Sequence, residues 1–568
     1  MGDSPVEVRE VQAASPEPPS LMVADLHCKN HLPKLGLLPL VALIFYEVSG
    51  GPFGVEAAVK AGGPLLSILG FLIFPFIWSI PEALVTAELS TAFPANGGYV
   101  LWISAAFGRF WGFQEGWCKW ISGVADNALY PVLFLDYFKR VVPMFADGHT
   151  RLIALLVLTI LLTYLNYRGL TIVGITAVCL TGFSLLPFLV MTFMAIPKIR
   201  PKRWSSVNLK TVKWRAYFNT LFWNLNYWDS ASTLAGEIDN PQESFPKALL
   251  WAILLVIVAY VVPLMVGTGA IPLDDSKWED GYFAEVGLQI GGSFLKWWIE
   301  VAALLANMGL FEAEMSSDSF QLLGMGEQGM LPKVFAKRSK HGTPMLGIIF
   351  SACGVLFLAW MSFEEIVEFL NFLYCIGMIL EFAAFIWLRW SQPDLARPYR
   401  VPLGLVGVTL MSMPATTLLI LVMCYATWRT IVISIGLQIL GIMTYPFLEH
   451  AKAKGWMEFI DQKPVQAIPV SADPGPSSAS DSDDSEARLL SQVHYLPLLV
   501  FSLSMHSKNV DVGLSGAYSK CTEPSLEDAL TEIVRVLVTV GLIDCFLHHV
   551  SKLFAIQGGF QHSFMHKL

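Results

Sequence analysis

Seven acidic residues of this 568-residue sequence lie within long apolar stretches. A carboxylate at the centre of a lipid bilayer costs about 2.5–3.5 kcal/mol, so such a group usually faces a cavity or a partner. Basic residues at similar depth are scarce, and we therefore expect unpaired acids that form a negative pocket and select a cation. Glu82 and Glu88 are nearer a span end, where we expect interfacial or loop-capping residues. The seven acids are Glu47, Asp126, Asp229, Glu312, Glu314, Asp318 and Glu381.

Aromatic residues accompany two of these acids. Tyr46 precedes Glu47, and Tyr227 and Trp228 directly precede Asp229. An alkylammonium group binds well where a carboxylate balances its charge and a ring face covers its flank, each cation–π contact contributing about 0.5–2 kcal/mol. A polyamine alternates ammonium groups with methylene stretches, so carboxylates separated by aromatic walls would match it. The residues alone indicate a small cationic or zwitterionic solute.

Two of the segments that carry these acids contain strong helix interruptions. One reads LIFYEVSGGPFGVEAAV, and its glycines and proline cannot sustain a regular helix. The other, Asn224–Ser232, is crowded with Asn, Asp, Ser and aromatic residues, which are weak helix formers. Interrupted helices at corresponding places in two halves of a chain point to a transporter binding site. The candidate solute-binding residues are Tyr46, Glu47, Ser49, Gly50, Gly51, Asp126, Tyr227, Trp228 and Asp229.

The composition is that of an integral membrane protein. Hydrophobic residues make up 54% of the chain and charged residues 15%, whereas a soluble domain carries about 25% charged residues. Spanning the bilayer takes about 20 apolar residues, and this length predicts an all-α fold with about twelve membrane spans. We place them near residues 37–60, 65–90, 112–138, 151–167, 170–196, 215–238, 247–271, 293–322, 343–361, 366–389, 402–425 and 429–447.

The two ends of the chain differ from this apolar middle. Residues 1–32 are polar and rich in proline, and we expect a disordered cytoplasmic segment there. A transporter domain over residues 33–459 is expected next, followed by a low-complexity linker over residues 460–490 that is rich in Pro, Ser and Asp. Residues 491–568 form a tail of unknown structure.

Basic residues in the short loops indicate the orientation. A cytoplasmic N-terminus places Lys333, Lys337 and Arg338 in the cytoplasm, together with Arg397 and Arg400. One loop disagrees, because the basic stretch from residue 198 to residue 215 would then lie outside. Most of the loops favour the cytoplasmic N-terminus.

Several long motifs resemble those of the plant polyamine uptake transporters, in the polyamine:proton symporter branch of the amino acid–polyamine–organocation superfamily. The motifs are FYEVSGGPFGVE, FPFIWSIPEALVTAELSTAFPANGGYV, DNALYPVLFLDY, LFWNLNYWDSASTLAGEIDNPQ and EMSSDSFQLLGMGEQGMLPKVFAKRS. The resemblance runs from about Pro33 to Phe459.

This resemblance implies a LeuT-type fold, with inverted repeats at about residues 37–196 and 215–389 and peripheral helices at about residues 402–447. It also implies import of putrescine, spermidine and spermine, and of the herbicide paraquat, with protons as the coupling ion and no other cofactor or metal. Family members lie mostly in the plasma membrane, and some lie in the Golgi or other endomembranes. The expected partners are the small-molecule substrate and the lipid bilayer. Nothing indicates a nucleic acid, and protein partners are left open.

The resemblance also assigns individual residues. Ser49–Gly54 matches the unwound first helix of the family, and Asp229 occupies the place of the acid in the sixth-helix break. Many superfamily relatives read Gly-Ser-Gly at the first break, and the departure here favours an amine that has no carboxylate. Some proton-coupled relatives carry a lysine in the fifth helix, but Gly169–Ile196 contains none. A carboxylate would then carry the proton, and the candidates are Glu312, Glu314, Asp318 and Glu381.

Three alternatives to polyamine import stay open at this point. An amino-acid transporter of the same fold would need exposed backbone amides at the first break to bind the carboxylate of its substrate. A sensor that binds polyamines without moving them would use the same site. A membrane enzyme would need a catalytic constellation, and the spans contain no HExxH motif, no GxSxG motif and no clustered histidines.

Overall fold

The chain folds into a bundle of α-helices. In this computed structural model the described residues are 34–139, 142–145, 148–272, 274–359 and 361–461. Their helices are α1 (Leu37–Val48), α2 (Glu56–Ile77), α3 (Ser79–Ala92), α4 (Tyr99–Phe107), α5 (Arg109–Phe138), α6 (Gly148–Arg168), α7 (Leu170–Ala195), α8 (Trp214–Trp223), α9 (Pro241–Ala270), α10 (Tyr282–Glu327), α11 (Met345–Leu358), α12 (Phe363–Ser391), α13 (Leu405–Cys424) and α14 (Trp428–Ala453).

The helices coincide with the predicted spans, and the prediction of an all-α membrane protein is confirmed. Eight of the described helical segments are long and apolar enough to cross a membrane. The centrally packed α5 is not among them, since it carries several charged residues that face protein instead of lipid. Helix α4 is an additional short helix that the sequence did not predict. The predicted N-terminal segment, the C-terminal tail and all but the first two residues of the linker lie outside the described residues.

The first predicted interruption separates α1 from α2. Gly50, Gly51 and Gly54 have φ angles of +62°, +117° and +90°, a region that glycine enters without the steric cost of a Cβ atom. The backbone N–H of Gly54 donates to Glu56 Oε2 at 2.9 Å, so the first residue of α2 satisfies an amide that the interruption frees. Gly63 also has a positive φ of +76°, and it bends α2 where the next predicted span begins.

The second predicted interruption follows α8. The α-helix ends at Trp223, and after an irregular stretch the chain continues as a 3₁₀ helix, Ser230–Glu237. Tyr227 has φ +68°, which is uncommon for a residue other than glycine. Side chains satisfy the freed backbone groups, because Tyr227 N–H donates to Tyr374 Oη at 2.9 Å and Tyr260 Oη donates to the Asn224 carbonyl at 2.9 Å.

The two acids expected at interfaces or loops are both fully buried. Glu88 holds a loop, since it accepts a hydrogen bond from Val401 N at 2.9 Å, but it also forms an ion pair with Arg389 of α12. Glu82 caps the second interruption from inside the bundle by accepting a hydrogen bond from Trp228 N at 2.8 Å. Both residues therefore cap backbone groups outside the regular helices, as the loop-capping alternative expects, and each also has a buried side-chain partner that the sequence does not reveal.

Candidate functional site

Four acids meet beside the first interruption, and we call them the acid group. Glu47 ends α1, Asp126 lies on α5, and Glu314 and Asp318 lie on α10; all four are buried. A small, partly open cavity lies at this point, and Glu47, Ser49 and Asp126 contribute to its lining. Among the described residues no basic side chain forms an ion pair with any of the four acids.

Asp126 is the member of this group that is hydrogen-bonded to two aromatic side chains. Its two carboxylate oxygens accept hydrogen bonds from Tyr130 Oη at 2.5 Å and from Trp223 Nε1 at 2.7 Å. Two donors and no acidic hydrogen-bonding partner favour the charged form of a carboxyl group. Tyr130 and Trp223 also line the cavity, so an alkylammonium group bound there would meet a carboxylate flanked by two aromatic side chains.

Glu47 and Glu314 form a carboxyl pair. Their side chains are within hydrogen-bonding distance of each other, and Ser317 Oγ donates a hydrogen bond to Glu47. Two adjacent carboxylates cannot both be ionised, so the pair must hold one proton. Gly123 of α5 makes this packing possible, because a Cβ atom there would collide with carboxylate oxygens of Asp318 and Glu314.

A second set of buried groups surrounds Lys119 of α5, and we call it the lysine cluster. Lys119 Nζ lies 2.6 Å from Asp229 Oδ2 and 2.9 Å from Glu381 Oε1. The ammonium group also lies 3.7 Å from the centroid of the Tyr374 ring. The remaining members are two further buried acids, Glu82 and Glu115. The cluster therefore joins α3, α5 and α12 to the interruption that follows α8.

Hydrogen counting shows that the lysine cluster also holds a proton. Tyr374 Oη lies 2.5 Å from both Glu82 Oε1 and Asp229 Oδ1, and it accepts a hydrogen bond from Tyr227 N–H. A phenol has a single proton to donate. One of the two short contacts therefore needs a carboxyl proton, and this proton belongs on Glu82 because Asp229 is the carboxylate that pairs with Lys119.

The expectation of unpaired acids is wrong for Asp229 and Glu381, because Lys119 forms an ion pair with each of them. From the resemblance, a lysine was expected only in the fifth span. A lysine inside the third predicted span was visible, and it lies seven residues before Asp126 on the same helix. Glu115, Glu82 and Tyr374 were also missed, and only tertiary packing brings them to Lys119.

The other predicted residues are distributed around these two centres. Gly50 and Gly51 form the interruption itself, whereas Tyr46 packs against Gly309 and is not part of the cavity lining. Trp228 is buried, and its ring N–H donates to the Leu225 carbonyl at 2.9 Å. Glu312 faces α6, where its carboxylate accepts a hydrogen bond from Asn166 at 2.7 Å.

Tyr227 separates the acid group from the lysine cluster. Its hydroxyl lies 2.8 Å from Ser122 Oγ. It is also close enough to Asp126, Glu314 and Asp318 to interact with their charges. Its ring centroid lies 4.5 Å from that of Tyr374 in the lysine cluster. The two centres are therefore neighbours with an aromatic partition between them. No group of three or more potential metal ligands is found in the part of the chain that the structure describes.

Comparison with known proteins places this arrangement in a family. Residues 35–444 match the amino acid permease family. A probable polyamine transporter from Arabidopsis thaliana is 60% identical over 486 residues, which are 85% of this chain and 98% of that protein. The polyamine transporter RMV1 from the same plant is 57% identical over 432 residues (76% of this chain, 88% of the relative). The polyamine transporter PUT1 from Oryza sativa subsp. japonica is 58% identical over 425 residues (75% of this chain, 80% of the relative).

The family match includes both interruptions and both buried centres and ends within α14. The matches confirm the prediction of a membrane transporter and exclude the alternative of a membrane enzyme. The chain belongs to the amino acid permease family, in the group that contains the plant polyamine transporters.

Proposed function

We propose that this protein imports polyamines by proton symport, with the acid group as the site that binds an ammonium group of the substrate. The observation that carries the proposal is Asp126, a buried carboxylate at the wall of a cavity beside an interrupted helix. It has two hydrogen-bond donors and no cationic partner among the residues that the structure describes. The names of the relatives support the substrate class. Putrescine, spermidine and spermine, and also paraquat, carry the positive charges that this site would bind.

The first interruption argues against an amino acid as the substrate. A substrate carboxylate would need free backbone amides there. The N–H groups of Ser49 and Gly50 both donate to the Phe45 carbonyl, and Gly51 N–H donates to Ser49 Oγ at 3.2 Å. Gly54 N–H is taken by Glu56. With these four amides occupied within the chain, the site fits an amine better than an amino acid.

Uptake of labelled spermidine tests the proposal. We expect cells that lack polyamine transport to accumulate spermidine saturably when they express this protein, more at acidic than at mildly alkaline external pH. A protonophore should abolish the accumulation. Binding of spermidine to the purified protein without any uptake would indicate a sensor. Uptake of arginine but not of putrescine or spermidine would indicate an amino-acid transporter.

The proton carried by the Glu47–Glu314 pair is the candidate coupling proton, with Asp318 as its neighbour. Glutamine at position 314 would reproduce the protonated acid, because its amide donates to Glu47 and cannot release a proton. We expect Glu314→Gln to exchange internal for external spermidine at a rate within about threefold of the wild type. Its net uptake should lose the dependence on external pH.

Glu312→Gln is the matched control for this substitution. It makes the same change two residues away on α10, but Glu312 faces Asn166 and not the acid group. Net uptake by the control should keep its pH dependence and lie within about twofold of wild-type uptake. A Glu314→Gln variant that still accumulates spermidine against its gradient, driven by external acid, would remove Glu314 from the coupling step.

We further propose a plasma-membrane location with the N-terminus in the cytoplasm. Basic residues of the loop after α10, including Lys333, Lys337 and Arg338, support this orientation through the positive-inside rule. Protease protection of tags placed at the N-terminus and in the loop before α10 would test it. If the tag at the N-terminus is cleaved in intact cells and the tag in the loop before α10 is protected, the orientation is the reverse of the one proposed.

A further inference from the structure

The lysine cluster has the composition of an alkylammonium site that is already filled. The Lys119 ammonium contacts two carboxylates, Asp229 and Glu381, and lies over the face of the Tyr374 ring at 3.7 Å. A second ring, that of Tyr99, lies 5.1 Å away. Carboxylates that balance the charge and rings that cover the flank are what a primary ammonium group of any origin would need.

We propose that the Asp229–Glu381–Tyr374 site is a second ammonium subsite of the substrate, which Lys119 occupies as a tethered competitor in the conformation seen here. In this proposal the acid group binds one ammonium group of a diamine. The other ammonium group takes the place of Lys119 Nζ when the lysine withdraws. The inference rests on the proposed function and adds that the substrate must carry at least two ammonium groups to use both subsites.

A place for the displaced lysine is present. Glu115 lies four residues before Lys119 on α5, and such pairs face each other on a helix. Its two carboxylate oxygens are buried and accept no hydrogen bond from an N–H or hydroxyl group of any described residue, and its carboxyl neighbour is Glu381. Gly377 of α12 provides the room, since a Cβ atom there would lie 2.7 Å from Glu115 Oε1 and 2.8 Å from Lys119 Cε. Lys119 can therefore leave Asp229 and stay charged against Glu115.

The partition between the two subsites is a residue under backbone strain. Tyr227 contacts the acid-group side through Ser122 and the lysine-cluster side through Tyr374. Its φ of +68° places a bulky residue in a region that costs on the order of 1–3 kcal/mol. A change of its backbone to an ordinary conformation would release this strain and move the ring that separates the subsites.

Two amines with the same carbon chain test the proposal. 1-Aminobutane carries one ammonium group and 1,4-diaminobutane carries two. The dissociation constant of the monoamine divided by that of the diamine reports the contribution of the second subsite. Lys119→Met fills the channel of the lysine stem but vacates the Nζ position. Because a diamine would no longer compete with the lysine, we expect this ratio to rise about tenfold or more in the purified variant. Adding Asp229→Asn to the variant should cancel the gain.

A second variant leaves the ion pair intact. Glu115→Gln removes the carboxylate that would receive Lys119, so the same ratio should fall by about threefold or more below the wild-type value. Unchanged ratios in both variants would overturn the second subsite and leave the acid group untouched. A wild-type protein that binds neither amine would overturn the proposed function itself, so the two failures are distinguishable.

Discussion

The Asp126→Asn variant is expected to take up spermidine with an apparent KM raised about tenfold to a hundredfold. The substitution keeps the size of the side chain but removes the anion that we place against a substrate ammonium group. A charge-assisted hydrogen bond contributes about 1.5–3 kcal/mol, and every 1.4 kcal/mol is a factor of ten in affinity. Concentration-dependent uptake of labelled spermidine measures the change. Surface biotinylation measures the amount of protein in the membrane.

Asp136→Asn is the matched control on the same helix. Asp136 lies near the end of α5, where it pairs with Lys139 at 2.7 Å and with Arg151 at 3.1 Å in a partly exposed position. Exposed ion pairs contribute little, so uptake by this variant should stay within about twofold of the wild type. An Asp126→Asn variant with the KM of the wild type would show that the substrate ammonium group does not bind at the acid group.

Much of the backbone architecture could be predicted because local sequence determines it. The run from Ser49 to Gly54 breaks the first helix through glycine φ angles that other residues rarely adopt. The second break was predicted from weak helix formers between Asn224 and Ser232, and the structure leaves residues 224–229 without α-helix. In both cases the residues with low helix propensity are the same residues that have non-helical backbone in the structure.

The partners of the buried charges could not be predicted in this way. Glu82, Lys119 and Tyr374 are separated by tens to hundreds of positions in the sequence, and only the packing of α3, α5 and α12 brings them to Asp229. A single sequence gives the depth of each charge but not the direction of its side chain across a bundle. For this reason the sequence identified the buried acids but not the ion pairs that they form.

One distinction between candidates was within reach of the sequence. Residues four apart on a helix share a face, whereas residues two apart do not. Glu314 and Asp318 are four apart, and both approach Gly123 of α5. Glu312 is two residues from Glu314, and it faces Asn166 of α6. Helical periodicity alone separates Glu312 from the pair Glu314 and Asp318, and the structure adds that the pair is the one that faces the acid group.

The ion pair of Lys119 changes what is expected of Asp229. Sequence alone predicts that Asp229→Asn weakens polyamine uptake and leaves the protein folded. In the structure the same substitution takes a carboxylate from a fully buried lysine, and removing one partner of a buried ion pair costs about 3–5 kcal/mol when no other partner is present. Glu381 still lies 2.9 Å from Lys119 Nζ, so we expect a smaller but measurable loss of stability.

A double-mutant cycle separates this pairing from the effects of the two side chains alone. Lys119→Met and Asp229→Asn should each lower the thermal stability of the purified protein. The loss of unfolding free energy in the double variant should be smaller than the sum of the two single losses by about 1–3 kcal/mol. Each single variant leaves Lys119 or Asp229 without the other, whereas the double variant removes both charges. The same cycle between Lys119 and Asp126, which form no ion pair, should be additive within about 0.5 kcal/mol. Additivity between Lys119 and Asp229 would contradict a stabilising ion pair, and the charge of the lysine would then be balanced mainly by Glu381 and Glu115.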